Sequence, residues 1–300
     1  MEENRAMTNE QLESKLKSLR VKATLTKILT YYAAAAMILM WFFKKNLAMG
    51  LVFLVIALVF GYLSSKSSST LKKLLSDNII SGVLKEALGD TVEYNPWGKV
   101  EPGSMVFPLP YNKVDGSDHI KAVYKGLNIE LSDIELINES EDTDADGNTQ
   151  KSSTTHFKGQ WLICDFGKEL SGEVCLFAND KKLRKQHKND SVEMENEIFN
   201  NRFLVTAKNA QEAYYILTPH MMEYILTMAD KSGGDVYMSF LRDGKMHVAV
   251  KAGRDFFEMG KSEANIDKLR QKFLSELKWF TDIIDTLRVE DTLYKKEANV

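Results

Sequence analysis

A chain of 300 residues with 27% charged and 10% aromatic side chains has the material for one sizeable folded domain plus attachments. Its formal charge of −3 excludes a whole-chain basic footprint for nucleic acid. Two cysteines exclude a disulfide framework and a cysteine-only zinc cage, and five prolines exclude a proline-rich stalk.

Residues 1–27 form a basic tail in which Leu12, Leu16 and Leu19 recur at helical spacing among Lys15, Lys17, Arg20 and Lys22. That pattern fits a helix lying on a membrane surface or an extension of the helix that follows. Two charge-free apolar runs come next, Ile28 to Phe43 and Leu47 to Leu63, separated only by Lys44, Lys45 and Asn46. At about 1.5 Å per residue each reaches about 24–25 Å, against a hydrocarbon core of roughly 30 Å. Leu25 with a snorkelling Lys27 extends the first, and Ser64 and Ser65 extend the second. Both runs carry Tyr or Trp near an end, as interfacial anchors do. Residues 28–63 therefore read as a transmembrane helical hairpin. A cleavable leader fits poorly, because a second apolar run follows at once.

Basic residues give the orientation. Arg5, Lys15, Lys17, Arg20, Lys22 and Lys27 precede the hairpin and Lys66, Lys72 and Lys73 follow it, against Lys44 and Lys45 in its loop. The excess places both termini in the cytoplasm, in the inner membrane of a cell. Two unpaired cysteines suit a reducing compartment. Residues 1–89 hold twelve Lys and Arg against six Asp and Glu, a balance of +6, so residues 90–300 carry −9. The lipid bilayer is the first expected partner, its anionic leaflet facing the basic collar.

Residues 64–110 read as a juxtamembrane helix and linker. SSKSSST, Ser64 to Thr70, predicts a polar joint; a helix follows from Leu71 to Leu88 with Gly89 as its stop. Asn95-Pro96-Trp97-Gly98, Pro102-Gly103, Pro108 and Pro110 mark an irregular connection, with Trp97 expected to dock on the main domain.

Residues 111–300 read as a cytoplasmic domain. From Asp118 the period becomes two, and DHIKAVY and LNIELSDIELIN form a hairpin about Lys125-Gly126. An acidic, Ser/Thr-rich segment runs from Glu139 to Thr155. HFKGQWLICDF and GEVCLFA predict a second hairpin around GKELSG, a register that would bring Cys164 and Cys175 near one another as reduced core thiols. Thr218-Pro219 starts a helix whose apolar face is Met221, Met222, Ile225, Leu226 and Met228, ended by Ser232-Gly233-Gly234. DVYMSFLRDGKMHVAV is a hairpin turning at Asp243-Gly244. A final amphipathic helix carries Ile266, Leu269, Phe273, Leu277, Phe280, Ile284 and Leu287 on one stripe, for packing on its own sheet or for self-association. Hairpins with separated helices give an α+β fold with an antiparallel sheet.

Chemistry is sparse. Asp142, Asp144, Asp146 and Gly147 imitate the opening of a calcium loop, but Ser153 stands where a bidentate Glu belongs and strands flank the segment. They are the metal-site candidates, at what reads as an exposed hairpin tip. The five histidines stand apart, and no nucleophile elbow, phosphate loop or dinucleotide fingerprint is present, so no cofactor is expected. KKLRKQHKN lacks the interleaved aromatics of a nucleic-acid site. The catalytic candidates are Cys164, His220 and Glu223, the last two near a helix N-terminus.

FKGQWLICDFGKELSGEV with the strands ahead of it, FNNRFLVTAKNAQEAYYILTPHMMEYIL and VYMSFLRDGKMHVAV together resemble the bacterial family named domain of unknown function 3137, whose pattern includes an N-terminal membrane hairpin. Its most specific element is EAYYILTPHMMEYIL, Glu212 to Leu226. The resemblance implies a bacterial membrane protein with a cytoplasmic α+β domain and a LemA-type membrane protein as a partner; it carries no catalytic residues. The acidic loop at Glu139 to Ser153 looks like a variable insertion. Two functions follow: a non-enzymatic, membrane-tethered interaction module, or a membrane-proximal, hydrolase-like enzyme whose site the fold assembles.

Overall fold

The computed structural model describes residues 8–42, 46–103, 107–143, 149–165, 170–258 and 265–294, and of residues 142, 143, 149 and 287–294 the backbone alone. The chain divides into two compact units, residues 1–83 with 259–273 and residues 84–258 with 274–300.

The first unit is built on two long helices, α1 (Asn9–Phe42) and α2 (Leu47–Leu75). On α1 the buried positions are Leu12, Leu16, Thr26 and Ala33; on α2 they are Gly50, Ser67 and Leu75. The helices run antiparallel. The Trp41 ring covers Gly50 so closely that a Cβ there would meet it at 1.7 Å, Gly61 faces Thr30, and the Ser64 hydroxyl donates to the Ala23 carbonyl at 3.2 Å. Small residues at these crossings let two backbones approach where apolar exteriors give no drive to associate. Asn46 caps α2, its Oδ1 accepting the Met49 N–H at 3.1 Å.

The basic tail, from Asn9 onward, is thus an extension of the first helix rather than a separate surface helix. SSKSSST is not a joint: α2 runs through it to Leu75, then through a π-helical segment, Ser76–Ile80, into α3 (Ser81–Leu88). Two of its hydroxyls bond without a break in the helix: Thr70 donates back to the Lys66 carbonyl at 2.8 Å and Ser64 across to that of Ala23; further on, Ser81 donates to the Ser76 carbonyl at 2.8 Å. Leu75, Ile79, Ile80 and Val83 are buried. The last helix, α8 (Ile266–Tyr294), starts in this unit, where the Ile266 N–H donates to Glu13 Oε1 at 2.9 Å and Leu269 and Phe273 are buried.

The second unit holds one antiparallel sheet. Its strands are β1 (Glu93–Asn95), β2 (Lys113–Tyr124), β3 (Leu127–Thr143), β4 (Thr149–Asp165), β5 (Val174–Ala178), β6 (Ser191–Val192), β7 (Phe203–Ala207), β8 (Asp235–Phe240) and β9 (Lys245–Lys251). Their order is β1-β2-β3-β4-β9-β8-β5-β7-β6. With α4 (Lys181–Gln186), α5 (Glu197–Arg202), α6 (Ala210–Ile216) and α7 (Pro219–Ser232), the architecture is the α+β class that the hairpin spacing predicts. The β2–β3 turn is Lys125-Gly126, with φ of 49° and 88°, as a two-residue primed turn needs. The Thr218 hydroxyl caps α7 by accepting the Met221 N–H at 3.2 Å, and Gly233, at φ 71°, ends it.

Three expectations fail here. β4 and β5 do not form a hairpin: β4 pairs with β3 and β9, and β5 with β7 and β8. Cys164 and Cys175 consequently lie three strands apart, about 14 Å across the ladders, and on opposite faces. The acidic segment, expected as a loop-like insertion, continues the β3–β4 ladder from Ile137↔Thr155 to Thr143↔Thr149, and residues 144–148 lie outside the described residues. Trp97 is 60% exposed, whereas the core takes Phe107 from the same connection.

One sheet face carries an aromatic core of Phe157, Trp161 and Tyr237, with Phe107 seated between Phe157 and Tyr237 at ring distances of 5.6 and 5.1 Å. Met221, Met222, Ile225 and Met228 of α7 are buried, as are Leu277, Phe280, Ile283 and Ile284 of α8. Those two helices are stitched by Tyr224 Oη to the Asp282 carbonyl at 2.9 Å and by Trp279 Nε1 to that of Met228 at 3.3 Å. The amphipathic stripe therefore packs within the chain from Leu269 to Ile284, while the Leu287 side chain lies outside the described residues.

Candidate functional site

The three catalytic candidates do not converge. Cys164 sits inside β4, 3% exposed, and burial, then the Asp165 charge, pushes its thiol up to about 12. Such a thiol is inert as a nucleophile at neutral pH. His220 and Glu223 lie on the exposed side of the first turns of α7, and among the described residues no hydrogen bond or ion pair joins any two of the three. Asp142 lies at the far end of the β3–β4 ladder; its side chain, Asp144 and Asp146 lie outside the described residues, among which no cluster of metal-binding type occurs.

Two polar assemblies escaped sequence reasoning because each is made by strand register. The first is a cross-strand row on the aromatic face: Cys175 of β5 opposes Ser239 of β8, which opposes His247 of β9. Trp161 Nε1 donates to His247 Nδ1 at 3.2 Å, so the other ring nitrogen carries the proton, and the imidazole also bonds the Pro102 carbonyl. Burial, the largest influence, drives His247 down to about 4. Burial also raises the Cys175 thiol. A neutral imidazole beside a protonated thiol, both shielded from solvent, makes a structural row rather than a nucleophile and base.

The second assembly centres on Asp118 and Asp133. Asp118 stands at a bulge in β2 with φ 59° and accepts the Tyr94 and Ser117 hydroxyls. Asp133 accepts the Phe256 N–H at 2.7 Å and Gln160 Nε2 at 3.2 Å, and Gln160 also donates to the Arg254 carbonyl at 2.7 Å. Burial and then the nearby Asp118 hold Asp133 well above the usual carboxylate range. These groups tie β1 and the segment 254–256 onto the sheet.

The specific motif has a structural explanation too. Glu212 Oε1 accepts both the Ser171 amide and its hydroxyl at 2.6 Å, pinning the turn before β5, and these bonds lower its carboxyl. A groove of about 290 Å³ between α7 and α8 is lined by Tyr224, Met228, Lys231, Trp279, Asp282 and Asp285. Its carboxylates are already matched, Asp285 by Lys125 at 2.6 Å and Asp282 by Lys278 at 2.8 Å.

The surface that departs most from an ordinary folded domain is in the first unit. Of the large apolar side chains left exposed, seventeen of twenty-three among the described residues fall between Val21 and Tyr62. They include Tyr32 at 72%, Phe42 at 74% and Leu58 at 65%. Only 11% and 6% of the most apolar windows of the two helices are buried. Toward the N-terminus of α1 and past Tyr62 in α2 exposed side chains turn basic: Lys15 and Lys17 precede the belt, Lys22 and Lys27 stand in its first turns, and Lys66 follows it.

No curated protein matches the chain in sequence. Among solved structures, the mycobacterial trehalose monomycolate transport factor A is 10% identical over 56% of this chain and 75% of its own, with a TM-score of 0.30, too slight to equate the folds. Residues 155–289, from β4 to α8 and including Glu212 to Leu226, match the model of the family described as protein of unknown function (DUF3137). That segment of the chain is similar to this family, the one the sequence resembles.

Proposed function

We propose that this is a bacterial membrane protein whose α1–α2 hairpin spans the bilayer, with both ends on the cytoplasmic side, and whose sheet domain is a non-enzymatic interaction module. The observation that carries the reading is the exposed apolar belt from Val21 to Tyr62. At about 25 cal/mol per Å² of apolar surface, leaving so many large side chains in water costs tens of kcal/mol, a cost the hydrocarbon core removes. A soluble core hairpin would bury those faces, whereas between Val21 and Tyr62 the buried positions are the small residues Thr26, Ala33 and Gly50. The basic flanks support cytoplasmic ends.

For the domain, the support is how its polar groups are used. Cys164, His220 and Glu223 stand apart, while Cys175, His247, Asp118 and Asp133 are committed to internal hydrogen bonds or buried rows. A LemA-type membrane protein is the proposed partner. In-cell crosslinking of the full-length protein, followed by purification in detergent and mass spectrometry, tests this. A membrane protein recovered in near-equal amount is expected; recovery of the chain alone would overturn the module reading.

A further inference from the structure

We propose that α1 carries a site selective for an anionic phospholipid, formed by one face of the helix at Ser14, Lys17, Ser18, Val21, Lys22 and Leu25. These residues line an open notch of about 520 Å³. The inference rests on the membrane-spanning reading and adds the lipid that the hairpin prefers.

Spacings of three and four place the six side chains on one stripe, about 16 Å long at about 1.5 Å per residue. The first two turns offer hydroxyl and ammonium donors; the next two offer Val21, 49% exposed, and Leu25, 55% exposed, which lead to Ile28 and Leu29 of the apolar belt. The donors are uncommitted: among the described residues Ser14, Lys17, Ser18 and Lys22 have no hydrogen-bond or ion-pair partner. Glu13, placed one turn before Lys17 to neutralise it, instead accepts the Ile266 amide. Thr26 completes the lower end, its hydroxyl turned back to the Lys22 carbonyl at 2.8 Å.

A polar end at Ser14, Lys17 and Ser18 grades through Val21 and Lys22, side by side, into Leu25 and the apolar belt, an order along a membrane helix that matches an amphiphile. The phosphodiester anion sits on Lys17 and Lys22 with the serine hydroxyls as donors, and an acyl chain follows Val21 and Leu25 downward. A soluble anion would leave the apolar half uncovered. A zwitterionic headgroup would bring its own cation against two lysines. The match is to a phospholipid of net negative charge.

The test uses full-length protein in nanodiscs of phosphatidylcholine with 30% phosphatidylglycerol, released intact for native mass spectrometry, beside a Lys17→Glu/Lys22→Glu variant. Resistance of both proteins to alkaline carbonate extraction from vesicles is measured in parallel. The expected result is phosphatidylglycerol among the retained lipids about tenfold above its bulk ratio to phosphatidylcholine, falling to that ratio in the variant. Carbonate-resistant protein that retains both lipids at the bulk ratio overturns the lipid site while leaving the membrane reading intact. Enrichment that persists in the variant also overturns it. Protein stripped by carbonate would instead overturn the membrane reading beneath it.

Discussion

Acidification should destabilise the sheet domain chiefly through His247. His247 is 5% exposed, accepts the Trp161 N–H on Nδ1, and titrates at about 4 in the folded chain against about 6.5 when unfolded. Because the folded value is depressed, the unfolded chain binds the proton first. The stabilisation is therefore complete above about pH 6.5 and is lost as pH falls toward 4, a change of about 3 kcal/mol. Asp133, raised, works in the opposite sense, losing stability as pH rises, and Glu212, lowered, adds to acid loss. The informative quantity is thus the difference between wild type and His247→Phe, in which those contributions cancel. At pH 7.5 the variant should be less stable by about 1–3 kcal/mol, since the Trp161 N–H loses its acceptor in a dry site. Between pH 7.5 and 4 the difference should move by about 3 kcal/mol in the variant's favour, closing or reversing the gap. Urea unfolding of the full-length protein in detergent, followed by tryptophan fluorescence at several pH values, reads this directly. A gap that stays constant across the range would refute the assignment of the row as buried and neutral.

Other substitutions test single contacts. Thr218→Ala removes the cap of α7 and should cost about 1 kcal/mol, seen as a lower midpoint in the same titration. Gly159→Ala would set a methyl group 1.9 Å from the Val250 carbonyl, so the β4–β9 ladder must shift; a loss of about 2 kcal/mol or more is expected, and an unchanged midpoint would contradict the register. Glu212→Ala frees the turn at Ser171-Gly172, and hydrogen exchange of the Ser171 amide should accelerate while that of the β8 amides stays as in wild type.

Local signals were legible in the sequence. Lys125-Gly126, Asp243-Gly244 and Thr218-Pro219 each state a turn or a cap within a few residues, and each stands where it was expected. The apolar periodicity of α7 and α8 likewise appears as buried faces. What failed depended on distant partners. The apolar strands containing Cys164 and Cys175 invite a hairpin, but β4 finds β9 some eighty residues further on, and nothing in a period of two reveals that partner. The same cause hid the Cys175–Ser239–His247 row, whose members come from three strands. SSKSSST misled differently: hydroxyl-rich segments favour breaks only when the side chains cannot bond back into the helix, as Thr70 does here.

The hairpin's crossing of the membrane is the claim on which the functional account depends. Single cysteines placed at Asn46, in the α1–α2 turn, and at Asn265, just before α8, can be probed with a membrane-impermeant maleimide on intact spheroplasts and after lysis. Native Cys164 and Cys175 are buried and serve as the silent background. A hairpin that crosses the bilayer is labelled at Asn46→Cys before lysis and at Asn265→Cys only after it. Both positions protected until lysis, or both labelled from outside, would contradict a hairpin that crosses the bilayer with its two ends in the cytoplasm.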